Sequence, residues 1–221
     1  VGSSTGNGYR GPLWDKLAAD GHPPDFVGTL RGGSMSDPDN EGHSGYRIDQ
    51  ISALADTSLT RHRPNVVTLE IGTNDLNGNY QPSTAGARLK SLVDQITAAV
   101  PDATVLVASL VVSTSGTVEQ YRAAYNQAIP QIVSDAQAAG KHVTYVDMSS
   151  LTTADLADTL HPNAMGYQKM ADAFHRAIQA ADGAGRLKDP APAPARVQSG
   201  IAGNSLDVNG AGTADGTAVQ I

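Results

Sequence analysis

The chain has no cysteine among its 221 residues. That excludes a disulfide framework, a cysteine-based zinc site and a thiol nucleophile. Positive charge is also scarce: 15 Lys and Arg against 22 Asp and Glu leave a net charge of −7, which argues against nucleic acid or an anionic membrane surface as a partner. No apolar run approaches the roughly 20 residues that a membrane-spanning helix needs. Aromatic residues make up only 5%, and no apolar segment reads as a lid over a lipid site. The sequence opens on Val1 rather than methionine and shows no signal peptide, so the expectation is that an upstream segment precedes it. The length itself suffices for one α/β domain with a full core, or for such a domain with an appendage.

What is present alternates. Short β-branched runs alternate with amphipathic stretches, the pattern of an α/β domain with a parallel sheet. "GPLWDKLAADG" places Leu13, Trp14 and Leu17 on one helical face and stops at Gly21. "PDFVGTL" reads as the first strand, followed by a helix over "GYRIDQISALADTSL" and a nearly continuous apolar strand, "PNVVTLEIG". A helix is expected over 83–100, a buried strand in "DATVLVASLVV", a helix over 117–139 bent or broken at Pro130, a strand in "KHVTYVDM" and a last helix over 163–181. Four strands thus alternate with helices. A doubly wound sheet normally opens on a strand, whereas this chain opens on a helix. The composition then changes: residues 183–198 contain a Pro-Ala repeat and read as an extended linker. Residues 199–221 carry two short apolar runs among Gly, Asn and Asp, like the start of a β-module too short to bury a core. The domain boundaries read as 1–182, 183–198 and 199–221.

Reactive groups in an open parallel sheet gather beyond the carboxyl ends of its strands. Three stretches fall there: "NEGHSGYRID", "EIGTNDLN" and "DLADTLHPNAMGY". In the first, Gly45 is either a turn residue or a backbone N–H that a ligand can approach closely. In the second, Asn74 and Asp75 either make an Asx-type turn or aim the Asn74 amide into the crevice. In the third, Asp158 either fixes the tautomer of His161 and frees its other nitrogen as a general base, or is a turn residue ahead of an Asn163 helix cap. His22, His62 and His142 read as surface or loop positions; His43 lies within the Gly-rich loop.

The ordered set resembles the SGNH (GDSL-type) hydrolases: "GTND" is similar to their Gly-x-Asn-Asp block, "DTLH" to their Asp-x-x-His block, and Gly45 to their glycine block. "DNEGHSGYRIDQI" is similar to carbohydrate esterase family 3, whose known members are acetylxylan esterases. The tail "SGIAGNSLDVNGAGTADGTAVQI" resembles the opening of a ricin-type β-trefoil lectin, with Ser205 where that family usually has Cys. The resemblance implies a flavodoxin-like, three-layer SGNH sandwich with a parallel sheet, its first strand missing from this chain. It implies a secreted, monomeric esterase for acetylated polysaccharide, with no cofactor and no metal. His161 would be the base and then the acid, Asp158 its orienter, and Gly45 N–H and the Asn74 amide the oxyanion-hole donors. The Gly-Asp-Ser block that carries the nucleophile is absent, and "VGSSTGNGYRGPLW" looks like the segment that follows it. The nucleophile is therefore expected before Val1, and the chain as written is expected to be inactive. Ser3 and Ser4 have no strand before them to hold a nucleophile in place. The alternatives are a general GDSL lipase or thioesterase, and a non-catalytic carbohydrate-binding protein.

Overall fold

In a computed structural model the described residues are 6–188, with the backbone of 196–198 and 205–207. Helix α1 (Arg10–Ala19) comes first, then a ribbon of β1 (Leu30–Arg31) and β2 (Asp39–Asn40). There follow α2 (Ile48–His62), β3 (Val66–Leu69), the short α3 (Thr73–Asn77), α4 (Ala85–Ala99), β4 (Thr104–Ala108), α5 (Gly116–Ala138), β5 (Val143–Val146) and α6 (Ala164–Gly183). Strands β3, β4 and β5 form one parallel sheet in that order, with Val66 opposite Thr104 and Val105 opposite Val143.

Side chains alternate across a strand, and β4 uses both faces. Val105 and Val107 join a core with Leu59 of α2, Leu89 and Leu92 of α4 and Ile129 of α5. Leu106 and Ala108 join the opposite core, with Leu13 and Leu17 of α1 and Met170 and Phe174 of α6. The result is a three-layer α/β sandwich. Every residue of β4 is buried, whereas Val66, Val67 and Thr68 of β3 are only half-buried. Among the described residues no strand pairs with the outer edge of β3.

Two expectations need correction. "PDFVGTL" is not a strand of the parallel sheet: only Leu30 and Arg31 pair, antiparallel to Asn40 and Asp39, in a separate ribbon. A strand exists only where a neighbouring strand takes up its backbone groups; in residues 24–29 side chains do so instead, Trp14 Nε1 donating to Pro24 C=O, and Asp37 and Glu41 accepting from the Phe26 and Thr29 N–H groups. Helix α5 also runs through Pro130 without a break, so of the two alternatives there the interrupted one is excluded. Pro130 is exposed, so the carbonyl it leaves without an intrahelical donor can be hydrated.

After α6 the chain turns back. Arg186 N–H donates to Ala181 C=O, and Thr104 Oγ1 donates to Arg186 C=O at 3.1 Å. Of the tail, the described backbone is a hairpin of β6 (Arg196–Gln198) and β7 (Ser205–Asp207). The remainder of the linker and lectin-like readings lies outside the described residues.

Candidate active site

Strand β3 ends in Glu70-Ile71-Gly72. Gly72 has φ +119°, and a Cβ there would collide with the Tyr125 hydroxyl. That hydroxyl donates to Ile71 C=O at 2.6 Å, so α5 fixes where the backbone turns into α3. "GTND" is therefore neither strand nor simple turn; it opens a helix. Its two polar residues then do different work. The Asn74 amide donates to Tyr46 C=O at 3.0 Å, and its second hydrogen has no partner among the described residues. Asp75 is fully buried and accepts from the Ile48 N–H at 3.0 Å and from Arg88 Nη2 at 2.8 Å. It caps α2 and ties α2, α3 and α4 together. Removing Arg88 alone would strand that charge, at a cost of about 3–5 kcal/mol.

The loop joining β2 to α2 carries Gly45, which has φ +78° and is exposed. Its N–H has no partner among the described residues, and the next residue, Tyr46, is the one whose carbonyl Asn74 holds. Glu41 roots this loop. Its Oε1 accepts from Thr29 Oγ1 at 2.9 Å and from His43 Nε2 at 2.6 Å; its Oε2 accepts from Thr29 N–H at 2.9 Å and from Ser58 Oγ at 2.6 Å. Burial raises the Glu41 pKa, but His43, Ser58 and Thr29 outweigh it and hold the carboxyl at about 2.

The third loop joins β5 to α6. Asp158 Oδ1 accepts from the Leu160 N–H at 2.8 Å and the His161 N–H at 2.7 Å, and Oδ2 meets His161 Nδ1 at 2.8 Å. The two backbone donors, then the imidazole, hold Asp158 down at about 2. His161 Nε2 has no partner among the described residues, and the pair is open to solvent, 42% exposed at His161 and 55% at Asp158. Asn163 meanwhile caps α6 by accepting from the Gly166 N–H at 3.0 Å. The helix-cap reading and the oriented-imidazole geometry therefore coexist. Asp155 is otherwise engaged: it is buried, pairs with Lys169 at 2.7 Å and accepts from Thr152.

The loop after β4 stitches these stretches together. Ser113 Oγ donates to Thr159 C=O at 2.7 Å and Thr114 N–H to the same oxygen at 3.0 Å, while Ser115 Oγ reaches Asn77 Oδ1 at 2.9 Å. Asp158–His161, α3 and the Gly45 turn thus share the carboxyl rim of the sheet. Sequence reasoning did not pick out Glu70, an acid that closes an otherwise apolar strand. Burial pushes its carboxyl up to about 7, against the pull of the Val111 N–H and of His161. The Glu41–His43 pair was also missed; an acid two residues before a histidine was its only mark. His142 lies in the loop before β5, as expected, whereas His62 closes α2; both are half-buried, each with one buried ring nitrogen that no described residue bonds.

Among the described residues no three His, Asp or Glu side chains are placed to hold a metal, and no helix is long and apolar enough to cross a membrane. Residues 2–6 spell Gly-Ser-Ser-Thr-Gly, a Gly-x-Ser-x-Gly match centred on Ser4; Ser3 and Ser4 lie outside the described residues.

Residues 1–169 match the sequence model of the GDSL-like Lipase/Acylhydrolase family. A multidomain esterase of Ruminococcus flavefaciens is 30% identical over 155 residues, which are 61% of this chain and 20% of that protein. The chain therefore spans a fifth of that relative's length. Among solved structures, the family 3 carbohydrate esterase of Clostridium thermocellum superposes with a TM-score of 0.71 at 33% identity, covering 82% of this chain and 92% of that one. A carbohydrate esterase family 3 protein of Talaromyces cellulolyticus superposes with a TM-score of 0.71 at 26% identity, covering 79% and 91%.

Proposed function

Since the chain belongs to the GDSL-like lipase/acylhydrolase family, we propose that its site is built to hydrolyse acetyl esters on polysaccharide by acyl transfer to serine. The observation that carries this reading is the Asp158–His161 pair: Nδ1 is engaged at 2.8 Å and Nε2 is left free on the rim that also holds Gly45 and Asn74. In the first half-reaction Nε2 takes the proton of a serine hydroxyl as its oxygen adds to the ester carbonyl. Negative charge collects on the carbonyl oxygen, where Gly45 N–H and the free Asn74 amide hydrogen donate. Fixed donors of this kind contribute about 3 kcal/mol each. The imidazolium, steadied by Asp158, returns the proton to the departing sugar oxygen as the C–O bond breaks. Water then adds to the acyl-serine by the same route, and acetate leaves. The steps need no cofactor and no metal. The nucleophilic serine belongs on a strand pairing with the open edge of β3, which would end at this same rim. A polysaccharide substrate outside the cell agrees with the family 3 likeness and with the sequence resemblance of the tail to a lectin.

The test compares the 221-residue chain with a version extended at its amino end by a strand closing on Gly-Asp-Ser. Acetylated xylan, p-nitrophenyl acetate and a long-chain ester are the substrates. The extended chain should release acetate, prefer the short acyl group, and lose activity to a serine-directed phosphonate. Phosphonate-sensitive turnover by the unextended chain that disappears in Ser4→Ala would overturn the strand-borne serine. A preference for long acyl chains would point to a lipase.

A further inference from the structure

The Gly45 turn is an exposed loop with a glycine on either side of His43-Ser44, so by itself it would sample many conformations. Donors act on a developing oxyanion only if they are already in place. The bonds around Glu41 supply that placement. Its two oxygens accept four hydrogen bonds, which fills the capacity of a carboxylate. An ionised carboxylate can only accept, so the His43 nitrogen facing it at 2.6 Å carries the proton. The fixed imidazole stacks on the Tyr46 ring, centroids 4.8 Å apart, and the His43 carbonyl accepts from the Tyr46 N–H at 3.3 Å. Tyr46 is then held from its other end, where its carbonyl takes the Asn74 amide at 3.0 Å. The backbone of Gly45 is thus fixed between an anchored ring and an anchored carbonyl.

We propose that Glu41 and His43 are positioning residues for the oxyanion site: through Tyr46 they set Gly45 N–H and the Asn74 amide at one point in space. The inference rests on the acyl-transfer reading, in which those two groups are the donors. It assigns work to a second carboxylate–histidine pair that exchanges no proton with substrate. The partners of Glu41 lie on three elements: the loop before β1 (Thr29), α2 (Ser58) and its own loop (His43). The turn is therefore referenced to the body of the domain rather than to a neighbouring loop.

Acetate, which presents a carboxylate oxygen where the oxyanion would lie, can probe this in the chain as it stands. The experiment follows ¹H–¹⁵N signals of Gly45 and of the Asn74 side chain during acetate titration of the 221-residue protein, Glu41→Gln and His43→Gln. His43→Gln leaves the Thr29 and Ser58 bonds to Glu41 in place and so guards against loss of fold in the other variant. Wild type should show saturable shifts at both groups. Both variants should bind acetate about tenfold more weakly, the cost expected of donors moved by a fraction of an ångström, with the His161 ring signals unchanged. Wild-type affinity in both variants would overturn the positioning role and leave the donors standing. A wild-type protein whose Gly45 and Asn74 signals ignore acetate would remove the donor reading, and the positioning role with it.

Discussion

The molecule holds two carboxylate–histidine pairs at one rim, and they are built in opposite ways. Asp158–His161 is open: the carboxylate spends one oxygen on two loop N–H groups and the other on Nδ1, and the outward ring nitrogen stays free. Glu41–His43 is closed: His43 is 14% and Glu41 29% exposed, all four acceptor positions of Glu41 are taken, and the ring is stacked. The same two functional groups therefore give a site that can exchange a proton in one place and a fastening in the other. What separates them is not the side chains but how many of their polar atoms the fold has already satisfied.

Substitutions should split along that line. In the chain supplied with a serine-bearing strand, His161→Ala should lower kcat about 10⁴-fold or more, with melting temperature almost unmoved; steady-state kinetics and thermal melts on one sample check both halves. Glu41→Ala should weigh more on stability than on turnover, costing about 2 kcal/mol of folding free energy as Thr29, Ser58 and His43 lose their acceptor, with only about a tenfold loss of kcat as the oxyanion donors shift. Urea denaturation beside Asp158→Ala, which should scarcely shift the midpoint, makes that contrast measurable.

Two smaller effects are read from pH. Glu70 has no imidazole in hydrogen-bond contact, and its carboxyl is raised from the usual 4.5 to about 7. The raised value favours the protonated form in the folded state, so the contribution is whole below the unfolded value near 4.5 and is lost as pH rises through about 7. Glu70→Gln should flatten the decline in stability across that interval. Glu41 has the opposite sign: depressed from 4.5 to about 2, it stabilises above 4.5 and loses that contribution as pH falls through about 2. Acid titration followed by circular dichroism should show a shallower slope for Glu41→Gln than for wild type. Equal slopes would mean that the bonds around Glu41 add nothing to stability through its ionised form.

The sandwich was legible because its signals are local. The apolar run around Thr104–Ala108 marked the central strand, and the helical spacing of Leu13 and Leu17 marked the face of α1. Asp158 and His161 were legible for the same reason, being three residues apart on one loop. The fastening was not, because Glu41 gathers Thr29, His43 and Ser58 from elements that only the tertiary fold brings together. Asp75 is similar: its partners are Ile48 and Arg88. "PDFVGTL" failed as a sheet strand because strand propensity says nothing about whether a neighbour is there to pair. Pro130 failed as a helix breaker because the single intrahelical hydrogen bond it removes lies on a helix that is otherwise continuous, with the proline itself on the exposed face.

Strand β3, whose outer edge no strand pairs with among the described residues, has a further consequence for the 221-residue chain in solution. A strand with unspent backbone donors and acceptors along one side is adhesive in a manner that net charge does not cancel. Two copies of the 221-residue chain can meet edge to edge there, so its self-association should grow with protein concentration and persist in high salt, which screens the −7 charge but not the ladder, and should vanish once the serine-bearing strand proposed above covers the edge. A short peptide that occupies the edge should compete with that association, which makes β3 a handle for colloidal control as well as a wall of the fold.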